Sequence, residues 1–326
     1  MTLRATGLRM SVGRSCGRRH PAAVTAARSR ILTTSHGTRR EAFGPVEWGL
    51  FAFLSLTWGA SFLLMAVALD DFSPGLITFG RVITGAVTVV LLPGVWRVSI
   101  DRSDMPRVVV LAVLWVAIPF TLFPVAQQWI DSGVAGMLNG FMPLVTALVA
   151  SLMLRELPGR PQRVGLAVGA VGVVCISIPQ FGDGGTAVLG VFLVLVATAC
   201  YGLAANISAP LQQKYGSLPT FGRVVPIAAV LTLPYGMASV PSSSFSWAAL
   251  TAVMALGVVG TGIAYVAIGE LVGRAGPTRA STVTYVIPAV AIVLGVVFRD
   301  ETVAALSLFG IALVVLGAIV ASRREA

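Results

Sequence analysis

Apolar residues in this chain come in runs of about 20, separated by short stretches that hold the charged residues and many of the prolines and glycines. A run of that length matches a helix crossing the hydrocarbon core of a bilayer. Ten such spans are predicted, near 48–69, 75–95, 108–128, 133–154, 162–180, 187–209, 219–240, 247–271, 276–298 and 303–322. Each has 18 to 25 residues, enough to cross with some tilt. Pro and Gly fall inside many of them, which membrane helices tolerate when neighbours satisfy the freed backbone groups. The expected fold class is an all-α integral membrane protein.

The spans repeat. Thr78-Phe79-Gly80-Arg81-Val82 returns letter for letter as Thr220-Phe221-Gly222-Arg223-Val224, 142 positions later. Trp58-Gly59 pairs with Tyr201-Gly202 at an offset of 143. Pro143, Glu156, Gly165 and Gly172 match Pro288, Glu301, Gly310 and Gly317 at 145. One half of about 140 residues is therefore duplicated, with expected boundaries of 46–182 and 186–323. Equivalent spans are five apart, an odd number, so each helix of the second half crosses in the opposite sense from its counterpart. Inverted repeats related by an axis in the membrane plane are the architecture of many secondary transporters.

Composition and charge sharpen this picture. The chain is 56% hydrophobic and 11% charged, more apolar surface than a soluble domain can bury. The net charge of +10 would otherwise suggest nucleic acid, but nine arginines against Glu41 and Glu47 place most of it in residues 1–47. Residues 1–45 are expected to be a basic, disordered cytoplasmic tail, and nucleic acid is not an expected partner. With the N-terminus inside, the inner loops and C-terminus carry eleven Lys and Arg, and the outer loops carry Arg299 alone. This bias predicts both termini in the cytoplasm. Arginine with Lys214 as the one lysine suits a GC-rich bacterial genome, so a bacterial cytoplasmic membrane is the expected location. Cys16, Cys175 and Cys200 lack metal-ligand spacing, both histidines fall in the tail, and no span holds a His/Asp/Glu cluster. No enzyme activity, metal or cofactor is expected. The expected partners are the lipid bilayer and a small-molecule substrate, with the chain a monomer or a homodimer.

The second half reads YVAIGELVGRAGPTRASTVTYVIPAVAIVLGVVFRDE from Tyr265, and the first repeats the pattern as GVAGMLNGFMPLVTALVASLMLREL and GRPQRVGLAVGAVGVV. A proline within a helix, a Glu shortly after it and a Gly-studded last helix resemble an EamA-type transporter of the drug/metabolite transporter superfamily. Trp58-Gly59 in the first helix and Arg81 early in the second also fit, and the resemblance covers about residues 48–322. It implies a ten-helix carrier moving a small metabolite, amino acid or drug, often outward. A channel or a non-transporting membrane scaffold is the alternative.

The candidate substrate path is built from polar and aromatic groups inside the spans. An unsatisfied amide costs several kcal/mol in hydrocarbon, so Gln127, Gln128, Asn139 and Asn206 must face partners or water. Trp58, Tyr201, Tyr265 and Tyr285 are candidates for an aromatic wall, or plain packing. Arg81 and its mirror image Arg223 are expensive within a span unless they snorkel or face a cavity. Arg223 can reach the inner surface, whereas Arg81 would have to snorkel outward, so Arg81 is the candidate for attracting an anionic group. Pro143 and Pro288 each remove a helical hydrogen bond mid-span and are expected to kink it. Glu156 and Glu301 are expected to anchor helix ends, and Glu270 to pair with Arg274 one turn on.

Overall fold

The computed structural model describes residues 44–154, 159–179 and 185–321. Residues 1–43 of the basic tail, Glu156 and Asp183 lie outside the described residues. Among the described residues, eight helices are long and apolar enough to cross a membrane: α1 (Pro45–Leu69), α2 (Pro74–Leu91), α3 (Met105–Ala126), α4 (Ser132–Leu154), α6 (Gly185–Tyr215), α7 (Ser217–Ala238), α8 (Trp247–Ala275) and α9 (Ser281–Arg299). The two remaining predicted spans are the helices α5 (Arg160–Ser177) and α10 (Ala305–Ala321). Two ends differ from the sequence reading for local reasons. α2 stops at Leu91 because Pro93 follows and Gly94 turns the chain at φ +93°. α6 runs on to Tyr215 because Pro210 is carried inside the helix.

The packing is two-fold. Under exchange of the halves α1 becomes α6 and α4 becomes α9, and the pair α1–α9 maps onto α6–α4, both of which pack. The pairs α3–α6 and α8–α1, and α2–α8 and α7–α3, are related in the same way. α2 packs on α7, α4 on α9 and α5 on α10, each against its own counterpart. Glycines set several of these distances and reveal direction. A Cβ on Gly172 would lie 2.6 Å from the carbonyl oxygen of Gly310, and one on Gly317 would lie 2.5 Å from that of Gly165. Along α5 the order 165, 172 thus faces 317, 310 along α10, so the two counterparts run antiparallel. Likewise Gly236 of α7 abuts Phe79 while Gly222 abuts Val95. The halves are inverted repeats. Gly59 on Val290 and Gly202 on Val145 are the same contact made twice, once on each side of the axis.

Four helices are irregular, again in matched pairs. α4 is broken between Asn139 and Met142, where the amides of Gly140 and Phe141 turn to the carbonyls three residues back. α9 opens as a 3₁₀ turn, Ser281–Tyr285, before its α-helical part starts at Ile287. Pro143 and Pro288 therefore do not kink continuous helices. Each sits in the first turn of a new helical piece, where its missing N–H costs no ladder bond. α3 and α8 each contain a π-turn, Ala112–Ala117 and Val258–Ile263, that the sequence reading does not include.

Among the described residues, the ion pairs between the halves lie at the helix ends. At one end Lys214 Nζ reaches Asp101 at 2.7 Å and Asp104 at 2.8 Å, and the Tyr215 hydroxyl donates to both carboxylates. The Lys214 and Tyr215 hydrogen bonds hold the carboxyls of Asp101 and Asp104 below the usual carboxylate range. At the same end Arg274 pairs with Glu270 at 2.6 Å, the expected one-turn contact, and extends to Glu47 at 3.3 Å. At the other end Arg299 grips Asp70 with two bonds of 2.6 and 2.9 Å. Glu301 anchors a helix end of the opposite half: it accepts from the amides of Ser132 (3.0 Å) and Gly133 (2.9 Å) at the start of α4. A carboxylate there satisfies free N–H groups and complements the helix dipole.

Candidate functional site

α2 starts at Pro74 and presents Arg81 two turns later, 5% exposed and inside the bundle. Its Nε donates to Thr261 Oγ1 at 2.9 Å, and its guanidinium carbon lies over the Phe120 ring, 3.7 Å from the centroid. The remaining contacts are long, Nη1 to Met65 Sδ at 3.8 Å and Nη2 to the Gly260 carbonyl at 3.5 Å. Among the described residues no carboxylate forms a salt bridge with Arg81. A buried guanidinium lacking an anion is costly, and the stacked aromatic ring offsets part of that cost.

Arg81 faces a cavity of about 50 Å³ between the two halves, room for roughly three or four waters. Trp58 and Tyr265 meet edge to face, 6.1 Å between centroids, and Tyr265 also meets Phe120 at 5.6 Å. Tyr201 stacks on Phe123 at 5.9 Å. Two polar aromatic tips near Arg81 are held by backbone carbonyls: Trp58 Nε1 donates to the Gly260 carbonyl (3.1 Å), and the Tyr265 hydroxyl donates to the Trp115 carbonyl (2.8 Å). Asn139, at the break in α4, is 5% exposed, and its Oδ1 has no hydrogen-bond partner. The cavity is thus lined by one cation, one free amide oxygen, aromatic walls and the hydroxyl-bearing residues Ser61, Tyr201 and Thr284.

The sequence model of the EamA-like transporter family matches residues 47–178 and again residues 188–323. The chain belongs to the EamA-like transporter family. It is a multi-pass membrane protein of a transporter family. It is 22% identical to an uncharacterized transporter of Archaeoglobus fulgidus over 86% of this chain and 99% of that protein. It is 26% identical to the uncharacterized transporter YvbV of Bacillus subtilis, over 82% of this chain and 88% of that one. A protein of Streptantibioticus cattleyicolor named as a probable terminal-alkyne amino-acid exporter is 24% identical, over 82% of this chain and 91% of its own. A solved crystal structure with 21% identity superposes with a TM-score of 0.64, over 85% of this chain and 96% of that one, and shares the fold.

In this EamA-like chain, five residues singled out from the sequence meet at one cavity: Trp58, Arg81, Asn139, Tyr201 and Tyr265. The other four do not line it. Asn206 is buried and donates to the carbonyls of Thr146 and Gly202, both at 2.9 Å, at the α4–α6 crossing. Gln128 is exposed just beyond α3, and the neighbouring Gln127 has both amide atoms buried without a hydrogen-bond partner. Tyr285 is half-buried, and the residue before it, Thr284, reaches the cavity instead. Thr284 is the counterpart of Asn139 at offset 145, so the repeat itself pointed one residue away from Tyr285. Trp115, Phe120, Phe123 and Thr261 were not singled out. An aromatic in an apolar run carries no mark separating a cavity wall from lipid-facing or packed positions.

Proposed function

We propose that this chain is a secondary carrier that moves a small amphipathic carboxylate, such as an amino acid with an apolar side chain, out of the cell. Transport is by alternating access between the repeats 46–182 and 186–323. The observation that carries this reading is Arg81, a buried cation in an aromatic cavity with no carboxylate partner among the described residues. A guanidinium fork suits a carboxylate, and the rings suit an apolar side chain. The relative named as a probable amino-acid exporter supports the same substrate class. Both termini lie in the cytoplasm, by the bias of Lys and Arg to the inner loops. Lys214 and Arg274 then close the cytoplasmic end, and the Arg299–Asp70 pair closes the outer end.

Among the described residues no Asp or Glu lines the cavity, and Glu270 is held by Arg274. Transport is therefore facilitated diffusion or exchange, independent of a proton gradient. The test uses proteoliposomes containing the purified chain and radiolabelled L-leucine. Saturable uptake with counterflow, unchanged by an imposed pH gradient, is expected. Non-saturating flux without counterflow would identify a channel, and no flux of any tested amino acid would leave the scaffold reading. Uphill accumulation driven by pH and abolished by Glu270→Gln would overturn the uncoupled mechanism.

A further inference from the structure

The two π-turns do matching work. Trp115 in the first and Gly260 in the second are 145 positions apart, the offset of the repeat. The carbonyl of each accepts a hydrogen bond from an aromatic side chain of the cavity, Tyr265 at 2.8 Å and Trp58 at 3.1 Å. A π-turn holds one extra residue and departs from the i→i+4 ladder, so its carbonyls are available to neighbouring side chains. The turns differ at the next position. Val116 follows Trp115, whereas Thr261 follows Gly260.

The Thr261 hydroxyl donates to the Leu256 carbonyl at 2.9 Å, five residues back. Its proton is thereby committed, and its lone pairs can only accept. A guanidinium, which can only donate, is the matching partner. Arg81 Nε makes this bond at 2.9 Å, its one bond of ordinary length, while both Nη groups are left with contacts of 3.5 Å or more.

We propose that Thr261 is the positioning residue of the cavity: the π-turn of α8 turns its hydroxyl to fix Arg81 through Nε and leaves the Nη pair to a substrate carboxylate. This rests on Arg81 being the substrate contact. Two measurements on the full chain in lipid separate the two ideas. The first follows the Arg81 Nε–H resonance in nanodiscs, assigned by its loss in Arg81→Lys. It shifts and exchanges faster with solvent in Thr261→Val, while Thr261→Ser keeps the wild-type position. The second measures competition between radiolabelled L-leucine and L-leucinamide, which lacks the carboxylate. Thr261→Val lowers the preference for the carboxylate about tenfold, the effect of one bond to a charged group, and Thr261→Ser restores it. An unchanged Arg81 resonance in Thr261→Val overturns the positioning role, as does an unchanged preference where the wild type has one. A shifted resonance in a protein with no carboxylate preference upholds the positioning and sinks the substrate reading instead.

Discussion

Arg81 and Arg223 occupy the same place in the two repeats, inside an identical five-residue stretch, and end in different surroundings. Arg81 turns into the cavity over Phe120. Arg223 reaches out of the bundle, donates to the carbonyls of Val95 (2.6 Å) and Val98 (3.1 Å), and stacks on Trp96 at 4.6 Å. One of the pair is available to a ligand, and the other ties α7 to the loop after α2.

Substitution separates these roles. Arg81→Gln is expected to lower L-leucine exchange by at least about tenfold, with Arg81→Lys intermediate because a point charge cannot offer the fork. Arg223→Gln is expected to keep exchange within about twofold and to lower the melting temperature, since loop carbonyls lose charged donors. Flux and thermal unfolding of the three purified variants decide this, and equal loss of exchange in Arg81→Gln and Arg223→Gln would refute the distinction.

The α5–α10 crossing depends on backbone contact. Gly172→Ala places a Cβ against the Gly310 carbonyl and is expected to cost about 1–3 kcal/mol. Gly49→Ala, where the same atom meets nothing within 4 Å, is the control and is expected to be neutral or slightly stabilising. Thermal unfolding in detergent compares the two, and equal melting temperatures would contradict the packing.

The Lys214 cluster is expected to loosen in acid. The hydrogen bonds from Lys214 and Tyr215 depress the Asp101 and Asp104 values below those of the unfolded chain. Their stabilisation is therefore full above the ordinary carboxylate range and is lost as pH falls through the lowered folded values. Melting temperatures of the wild type should drop below about pH 4. A double Asp101→Asn, Asp104→Asn variant should start lower at neutral pH and change less on acidification; an equal acid response would show that these carboxylates are not responsible.

The orientation can be read by labelling. In a chain freed of Cys16, Cys175 and Cys200, single cysteines at Ser243 or Asp71 are expected to react with an impermeant maleimide added outside intact cells. Cysteines at Arg102 or Lys214 are expected to react only after permeabilisation. Reaction at Ser243 from the cytoplasmic side alone would reverse the proposed topology.

The sequence by itself determined the all-helical membrane class, the positions of the apolar helices, the duplication and, through an odd number of predicted spans per half, the inversion. These depend on quantities each segment carries alone: the length of an apolar run, or a letter-for-letter match. Contacts of fixed local geometry were legible for the same reason, as with Glu270 and Arg274 one turn apart on α8. The cavity was partly legible. Polar and aromatic residues in apolar runs stand out because hydrocarbon penalises them, and five of them do meet. Sequence could not say that Asn206 satisfies its amide on Thr146 and Gly202 while Asn139 leaves an oxygen free. Only the tertiary structure decided that, because the Thr146 carbonyl is brought to Asn206 by a helix distant in sequence, while the Gly202 carbonyl one turn back is on its own helix. It also decided the fates of Arg81 and Arg223, whose local sequences are the same. A side chain's destination is set by which helices pack around it, and here a π-turn 180 residues away in α8 supplies the acceptor that draws Arg81 inward.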